Sequence, residues 1–509
     1  MVVAKETLMN PIWFITLVVF LTLIWNKRTC RRVANNIIST VIHEYLLWRY
    51  PVYFEGGNKP IPTCPYRFPN GQGDVAKFLE GVKNSKTWKY QHGSVYRIWS
   101  GMRPEIVISS PEDIRNVFSD SDKHSKAINN NSGHLMSQLL GKCVGLINGS
   151  EWKTVRSGIE ESFQYHRIPS YIPMVLKHVA RHFDKLNQEE QLEQGYLDPA
   201  EGLKMVPFWI TAQILYGELN EDMTTELNNL ILLRESLFKQ VIDGNLARFS
   251  MSRFLPTETN KYLRSFQSRW ESFNDKAYAQ AMALGELTLP IVRLYELVHL
   301  KKITLKNMLH TLDESLFANL DVTTGGISWN IIFLAAFRQY QGLLSKELKS
   351  YKCGEDNRQQ YILSNRTLLA ACVSESSRLR PAAAFSVPQS APTPRIVGGG
   401  YVIPAGTDFI VDTHSLNSSN EYWGTDSHTY RPERFLETSP TASRYNLWRF
   451  GFGPRQCIGK YVADVVIRSL IIHLVENYEL SLRDTEWTAD PKVWISQPRM
   501  RVKCTKKVK

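Results

Sequence analysis

One cysteine stands in a segment whose residue types suit metal binding. Residues 450–459 read FGFGPRQCIG, with Cys457 followed by a helix-like pattern. Gly451 and Gly453 permit a tight backbone turn, and Gly459 permits a close approach between the helix and a flat ligand. Backbone N–H groups at a helix start stabilise a thiolate and lower its pKa. A thiolate is a soft ligand that suits iron, so the segment predicts an iron ligand or, alternatively, a structural cysteine in an ordinary turn.

Two further pairs of residues have helical spacing. Glu375 and Arg378 are three positions apart, so they share one helical face and can form an ion pair. Trp152 and Arg156 are four positions apart, and their indole N–H and guanidinium can both donate to one carboxylate. Each pair is a weak indication by itself, because such ion pairs are commonly solvated and tryptophan is commonly a core residue.

Together these segments resemble the cytochrome P-450 family, over roughly residues 55–509. The segment 450–459 matches the haem-binding loop of that family at each defining position, which disfavours a merely structural cysteine. The resemblance implies a haem b cofactor with Cys457 as its axial thiolate ligand. Such a thiolate pushes electron density onto haem iron and favours O–O cleavage. By the same resemblance, Arg455 pairs with a haem propionate, Phe450 packs beside the thiolate and Gly459 lies close to the haem.

The resemblance also gives roles to the two pairs. Trp152 and Arg156 would donate to a haem propionate. Arg434, in the segment RPERF, would join Glu375 and Arg378 in a buried triad that secures the region around the haem loop. Buried charges of this kind must be fully paired, because the removal of one leaves the others stranded.

The segment ANLDVTT at 318–324 resembles the helix that crosses the distal face of the haem. In the family an acid followed by a threonine supports proton delivery there, and Asp321 aligns with the acid. Val322 stands where the threonine is usual, and Asn319 replaces a usual glycine. We therefore expect Thr323 to supply the hydroxyl, which requires a locally distorted helix or a bridging water. Alternatively, Asp321 and Thr323 merely satisfy hydrogen bonds of the helix.

A large helical body must position these residues. The pattern is mostly helical over 151–377, and a final helix is expected over 458–476. Hairpins are expected around Gly101 and at 401–411, where YVI and TDFIV flank a Pro-Ala-Gly turn. The expected fold is mainly α with small β-sheets, the cytochrome P-450 fold, preceded by a single N-terminal transmembrane helix.

The N-terminal apolar run supplies that helix. Residues 8–25 carry no charge, and they are long enough for a thin bilayer such as the endoplasmic reticulum. A cleaved signal peptide is the alternative, but it would place basic residues before the run. Here the basic residues Lys27, Arg28, Arg31 and Arg32 follow it, which places the rest of the chain in the cytosol.

Three regions are predicted along the chain. Residues 1–32 form the membrane anchor with its basic flank. Residues 33–69 form an amphipathic segment and a proline-rich linker, and the amphipathic segment either lies on the membrane or packs on the main domain. Residues 70–509 form the haem-binding catalytic domain.

Composition limits the partners. The 509 residues carry 61 Lys and Arg against 49 Asp and Glu, a formal net charge of +12. With no nucleic-acid signature, this favours an anionic membrane surface or an acidic protein partner over nucleic acid. The seven cysteines are scattered without a CxxC pair, which indicates a reducing compartment. The basic residues Arg444, Arg449 and Lys460 flank the cysteine loop and are candidates for docking an acidic flavoprotein.

The resemblance implies a monooxygenase that uses O2 to oxidise a hydrophobic small molecule. Electrons would come from NADPH through NADPH-cytochrome P-450 reductase, with cytochrome b5 as a second candidate donor. The chain is most similar to fungal members of secondary-metabolite pathways. One alternative is a haem-thiolate enzyme that couples or rearranges its substrate without oxygen insertion. Another is a non-enzymatic haem sensor or carrier.

Overall fold

The computed structural model describes residues 27–126, 133–188, 192, 195–244, 246–351, 355–483, 486–490 and 493–507. The predicted transmembrane segment at 8–25 and most of the predicted region 1–32 lie outside these residues. Within the described part of the chain, no single helix has both the length and the apolar composition to cross a membrane. Two helical stretches, Leu305–Ala336 and Gln339–Ser350, meet that test only jointly and are bent by 104° at their junction.

Helices dominate the structure, as the sequence predicted. The α-helices are α1 Lys27–Arg49, α2 Gly81–His92, α3 Pro111–Phe118, α4 Gly133–Leu139, α5 Gly149–Ile159, α6 Ile168–Gln188, α7 Pro199–Leu203, α8 Met205–Tyr216, α9 Glu221–Asp243, α10 Glu258–Ala283, α11 Pro290–His299, α12 Leu305–Phe317, α13 Val322–Ala336, α14 Gln339–Ser350, α15 Glu355–Leu363, α16 Leu368–Leu379, α17 Thr413–Ser418, α18 Arg434–Glu437, α19 Pro440–Ser443 and α20 Lys460–Asn477. The strands are β1 Val95–Ser100, β2 Arg103–Ile108, β3 Ser125–Lys126, β4 Tyr196–Leu197, β5 Gln389–Ser390, β6 Arg395–Val397, β7 Tyr401–Ile403, β8 Asp408–Val411, β9 Tyr478–Leu482 and β10 Val502–Lys506.

The largest sheet has five strands in the order β1-β2-β8-β5-β3. Strands β1 and β2 form the predicted hairpin around Gly101, with Ser100 opposite Arg103. The sheet ends at β3, a two-residue strand that contains Lys126 and pairs with β5. The sheet therefore connects the N-terminal part of the chain to a strand that lies near the cysteine loop.

The second predicted hairpin is wrong. Strand β7 pairs with β6, not with β8, and the residues of β7 alternate between buried and exposed, as in a ribbon at the surface. Strand β8 instead pairs in parallel with β2 and is buried at all its positions. A strand that is buried on both faces gains more from the centre of a sheet than from a surface hairpin, and the local turn signal did not contain that information.

The main core lies among the long helices. Helices α8 and α13 are apolar around most of their circumference, and most of their residues are buried. An element that is hydrophobic on all sides must lie inside the protein. Helix α13 packs against α16 and α20, so the helix that carries the candidate distal residues is next to the helix that follows Cys457.

Helix α1 contacts the main domain through its C-terminal half, from Ser39, which accepts from the backbone N–H of Phe68 at 2.9 Å, to its end. Leu46 is buried in a small cluster with Tyr66 and Trp99. Further towards the N-terminus, Ile37 and Val41 are exposed, at 60% and 64%. The C-terminal part of helix α1 thus contacts the domain. The apolar side chains nearer its N-terminus do not pack against any of the described residues closely enough to be buried.

Candidate active site

The cysteine loop is a tight turn immediately before α20. The backbone N–H of Cys457 donates to the carbonyl of Phe450 at 2.8 Å, which closes the loop. Gly451 and Gly453 have φ angles of 82° and 68°, where glycine has the least strain. A Cβ on Gly453 would lie 2.0 Å from Oγ of Ser121, so both the turn and its close packing require glycine there.

The side chain of Cys457 is exposed, although many protein atoms surround it, and this burial raises the pKa of its thiol above the usual value. The Gly459 N–H bond and the nearby Lys126 charge act in the opposite direction. Burial thus outweighs these two effects in the free thiol, and a bound metal ion would stabilise the thiolate, because a coordinating thiol is deprotonated. The space beside the thiol is the candidate site.

Three cations surround this space. The guanidinium of Arg455 lies 4.6 Å from the centre of the Trp152 ring, and that of Arg156 lies 5.4 Å from the same centre. Lys126 is close enough to Arg455 for each positive charge to disfavour the other electrostatically. Burial and the neighbouring Arg156 lower the pKa of Arg455 to about 10. Positive charges held this close together form a site for anions.

Asn148 holds the cations in place. Its Oδ1 accepts from the backbone N–H of Lys126 at 2.7 Å and from the guanidinium of Arg455 at 3.2 Å. Arg455 also donates to the carbonyl of Ile147 at 2.9 Å. Arg156 is paired with Glu160 at 2.8 Å through Nε, which leaves the terminal nitrogens of its guanidinium available for another acceptor.

These residues fit a haem. The thiol of Cys457 can bind the iron, and the cation group beside it can bind two propionate carboxylates. At Gly459 a Cβ would meet no atom within 4 Å, so the start of α20 borders open space where a flat ring can lie. Bound there, haem would supply oxygen activation, with Cys457 as the ligand and Trp152, Arg156 and Arg455 at the carboxylates.

Glu375, Arg378 and Arg434 come together as a buried triad. The carboxylate of Glu375 accepts from Arg378 at 2.7 and 2.9 Å and from Arg434 at 3.1 Å. The side chains are 0%, 0% and 6% exposed. Arg378 also donates to backbone carbonyls of Asn417 and Ser427 at 2.9 and 2.6 Å. Each charge is thus compensated by ion pairs and hydrogen bonds, as burial requires.

The triad is connected to the cysteine loop through Asn417. Its side chain donates to the carbonyl of Trp448 at 2.9 Å and accepts from the backbone N–H of Trp448 at 2.8 Å. The next residue, Arg449, donates to Ser377 of α16 and pairs with Asp464 of α20. Arg449 therefore supports the loop, and it is not available for docking a partner as its sequence position had indicated.

The chain distorts where the distal residues lie. Helix α12 ends at Phe317, Ala318–Leu320 form a 3₁₀ turn, and α13 begins at Val322. Asn319 stabilises this break, because its Nδ2 donates to the carbonyls of Ser315 and Leu316 at 2.8 and 3.2 Å. The structure therefore contains the local helix distortion that Thr323 needs in order to supply the hydroxyl in place of residue 322.

Thr323 and Asp321 have different partners. The hydroxyl of Thr323 donates to Oδ1 of Asn319 at 2.8 Å, whereas Asp321 accepts from the indole N–H of Trp494 at 2.9 Å. Burial raises the pKa of Asp321, and the Trp494 bond opposes this. The structure thus links Thr323 to Asn319, and it does not pair Thr323 with Asp321 directly.

A cavity of about 200 Å³ lies between α9, α12 and the 3₁₀ turn. Its lining includes Leu140, Phe238, Phe317, Ala318 and Trp494, so it is mainly apolar. Ala318 is exposed to this internal space although it lies in the helical body.

Two ion pairs fix α9 above the cavity. Arg234 of α9 pairs with Asp313 of α12 at 2.8 Å, with both side chains buried. Glu235, the next residue of α9, pairs with Lys204 at 2.6 Å.

Sequence reasoning missed several residues of this site. Lys126, Asn148, Glu314 and Trp494 lie in segments with no distinctive motif, and their partners are distant in sequence. Trp494, for example, contacts Asp321 across 173 positions. Asn319 did carry a signal, because it departs from the family pattern, but its role in the helix break follows only from the structure.

Comparison with known proteins agrees with this geometry. The cytochrome P-450 family model matches residues 78–504. Cytochrome P-450 monooxygenase aclC of Aspergillus oryzae is 50% identical over 470 residues, which cover 91% of this chain and 96% of the relative. Cytochrome P-450 monooxygenase asaD of Aspergillus flavus is 47% identical over 93% of this chain and 92% of the relative. Cytochrome P-450 monooxygenase gliC of Aspergillus fumigatus is 38% identical over 93% and 94%.

A cysteine in a tight loop before a long helix, with cations beside it and a mainly helical domain around it, is the arrangement of a haem-thiolate oxidoreductase. The chain belongs to the cytochrome P-450 family. The predicted family, the mainly helical fold with small sheets and the monooxygenase class are confirmed.

Replacement of the proposed iron ligand tests the site directly. Cys457→Ala should abolish the red-shifted Soret band of the ferrous carbonyl complex, because only a thiolate ligand produces that shift. Cys143→Ala and Cys372→Ala remove buried thiols elsewhere and should keep the band. A red-shifted band in Cys457→Ala would refute the assignment.

Removal of the shared carboxylate tests the triad. Glu375→Ala leaves two buried arginines without their partner, so we expect the free energy of unfolding to fall by about 3–5 kcal/mol. Glu226→Ala is the matched control, because Glu226 pairs with Arg269 near the surface, and it should cost less than about 1 kcal/mol. Guanidinium unfolding measures both, and equal losses would contradict a structural role for the triad.

Proposed function

We propose that the protein inserts oxygen into a small, mainly hydrophobic molecule as a tailoring step of secondary metabolism. The observation that carries this proposal is the thiol of Cys457 with its adjacent cations, close to a cavity with a mainly apolar lining. The names of the fungal relatives support the oxygenase chemistry. The alternative of coupling or rearrangement has no specific observation in its favour.

The proposed electron source is NADPH, through NADPH-cytochrome P-450 reductase, with cytochrome b5 as a second donor. Arg444 is exposed and Lys460 is partly exposed, and both lie near the cysteine loop. Exposed cations steer an acidic partner and fix its orientation. Such a surface would bring a flavoprotein close to the thiolate side of the haem.

The proposed location is the endoplasmic reticulum membrane, with residues 8–25 as a single-pass anchor and the catalytic domain in the cytosol. The uncharged run and the basic residues after it support this orientation. The exposed apolar side chains of α1, among them Ile37 and Val41, would then continue the membrane contact from the anchor towards the domain.

Reconstitution tests the proposed reaction. The purified protein, with reductase, NADPH and extracts of its own biosynthetic pathway, should yield a product heavier than a substrate by one oxygen. Incubation under ¹⁸O₂ should place the heavy isotope in that product. Turnover without NADPH, or a product without added oxygen, would overturn the monooxygenase assignment in favour of rearrangement or coupling.

Oxygen use depends on protons that arrive in the right order. We expect Thr323 to supply the hydroxyl of this route, since Val322 has none, with Asp321 behind it. Thr323→Ala should raise peroxide release per NADPH consumed and lower product, while haem content stays unchanged. Val322→Thr should leave coupling equal or improve it. A fully coupled Thr323→Ala enzyme would show that the proton comes from elsewhere.

The membrane orientation is tested in sealed microsomes. Added protease should digest the catalytic domain, because everything after the anchor is expected outside the vesicle. Deletion of residues 1–32 should weaken membrane binding without loss of haem. Protection from the protease, or glycosylation of the sequon at Asn148, would refute this orientation.

A further inference from the structure

Among the acidic side chains that line the cavity, Glu314 has no role in the proposed reaction and no ion pair within the described residues. Glu314 lies on α12, four positions before Ala318, so the two residues share one face of the chain as it passes the cavity. Both residues line the cavity. Glu314 is also near enough to Cys457 to interact with it electrostatically. Glu314 therefore lies where the cavity approaches the candidate haem site.

The structure is adapted to this carboxylate. A Cβ on Gly145 would lie 1.9 Å from Oε1 of Glu314, so only glycine permits the observed position. The backbone N–H of Gly145 donates to Oε2 at 2.9 Å. Burial, and then the nearby Glu314 carboxylate, raise the pKa of the Cys143 thiol well above its usual value.

The hydrogen-bond partner of Glu314 among the described residues is the uncharged backbone N–H of Gly145. The other charged groups of the cavity wall have these partners: Lys77 pairs with Glu105 and Asp74, Arg234 with Asp313, and Glu235 with Lys204, while Asp321 accepts from the indole of Trp494. Lys126 and Arg455 are near enough to interact with Glu314 electrostatically, but they belong to the cation group at the haem carboxylates. A carboxylate has about four acceptor positions, and the backbone N–H of Gly145 uses one of them.

We infer that Glu314 selects a substrate that carries a nitrogen-bound hydrogen, in an amide or a protonated amine. This inference rests on the proposed function, because it assigns the substrate class of the same cavity. Glu314 is partly buried and has acceptor positions beyond the one that Gly145 uses. A ligand that donates to such a position is favoured over an analogue that lacks the donor. The apolar wall with Phe238, Phe317 and Trp494 holds the rest of such a molecule, and the N–H bond fixes which atom faces the haem.

The experiment uses two probe pairs that differ in one N–H. N-benzylacetamide is compared with N-benzyl-N-methylacetamide, and benzyldimethylammonium is compared with benzyltrimethylammonium. The Kd of each is measured with the haem-loaded protein, by titration of the Soret band and by equilibrium dialysis. The wild-type protein should prefer the N–H member of at least one pair by about tenfold or more. A preference in the amide pair identifies a neutral amide, and a preference in the ammonium pair identifies a protonated amine.

Variants then locate the preference. In Glu314→Ala the ratio of the two Kd values should fall to about 1, because the acceptor is gone. Glu314→Gln keeps an acceptor oxygen without the charge, so it should keep part of an amide preference and lose an ammonium preference. Glu235→Ala is the matched control, since Glu235 lines the same cavity but is paired with Lys204, and it should keep the wild-type ratio.

Two results would overturn the inference. One is equal affinity of the wild-type protein for both members of both pairs, and the other is an unchanged ratio in Glu314→Ala. The ferrous carbonyl band of each variant reports whether the haem site is intact. If a variant keeps that band and forms oxygenated product but loses no selectivity, this inference fails and the proposed function stands. If the wild-type protein forms no oxygenated product with NADPH, the proposed function fails by itself.

Discussion

The shared carboxylate of Glu375 is the interaction on which the rest of the site depends. Two guanidinium groups, on α16 and α18, converge on it inside the protein. Isolated, any one of these charges would be expensive to bury. The two elements that carry them, α16 with Glu375 and Arg378 and α18 with Arg434, can therefore be stable only in one relative arrangement. Arg378 donates to the backbone carbonyl of Asn417, and the side chain of Asn417 donates to the carbonyl of Trp448, next to the cysteine loop. The position of Cys457 is therefore linked to the ion pairs of Glu375, a residue about 80 positions earlier in the chain.

The opposite wall of the site is built differently. There a 3₁₀ turn interrupts the regular helix between α12 and α13, and the side chain of Asn319 donates to a backbone carbonyl of α12. Side chains that a continuous helix would direct elsewhere are thereby redistributed: Ala318 towards the cavity, Thr323 towards Asn319, and Asp321 towards Trp494. The wall that the ion-pair triad stabilises carries Cys457, the proposed iron ligand. The wall with the interrupted helix carries the groups proposed to face the substrate.

The sequence predicted what depends on local pattern. The loop around Cys457 is recognisable because its glycines and its cysteine serve a turn that ten consecutive residues can specify. Glu375 and Arg378 are recognisable from helical spacing. The parallel pairing of β8 with β2 could not be predicted, because the adjacent Pro-Ala-Gly turn favours a hairpin and only burial in the complete sheet outweighs it. Lys126 and Glu314 could not be predicted either, since their meaning depends on loops that fold against them from distant parts of the chain.

The buried pair between Arg234 and Asp313 has a consequence for how ligands reach the cavity. It connects α9, above the cavity, to α12, along its side. If α9 moved away as a unit, both charges would lose their partner in a region of low polarity, a change that is strongly unfavourable. Burial raises the pKa of Asp313 to about 6, so the attraction is nearly complete at neutral pH and is lost as Asp313 takes up a proton when the pH falls through this value. At neutral pH we therefore expect α9 to stay in place. Substrate is then expected to enter the cavity, and product to leave it, through other parts of the cavity wall.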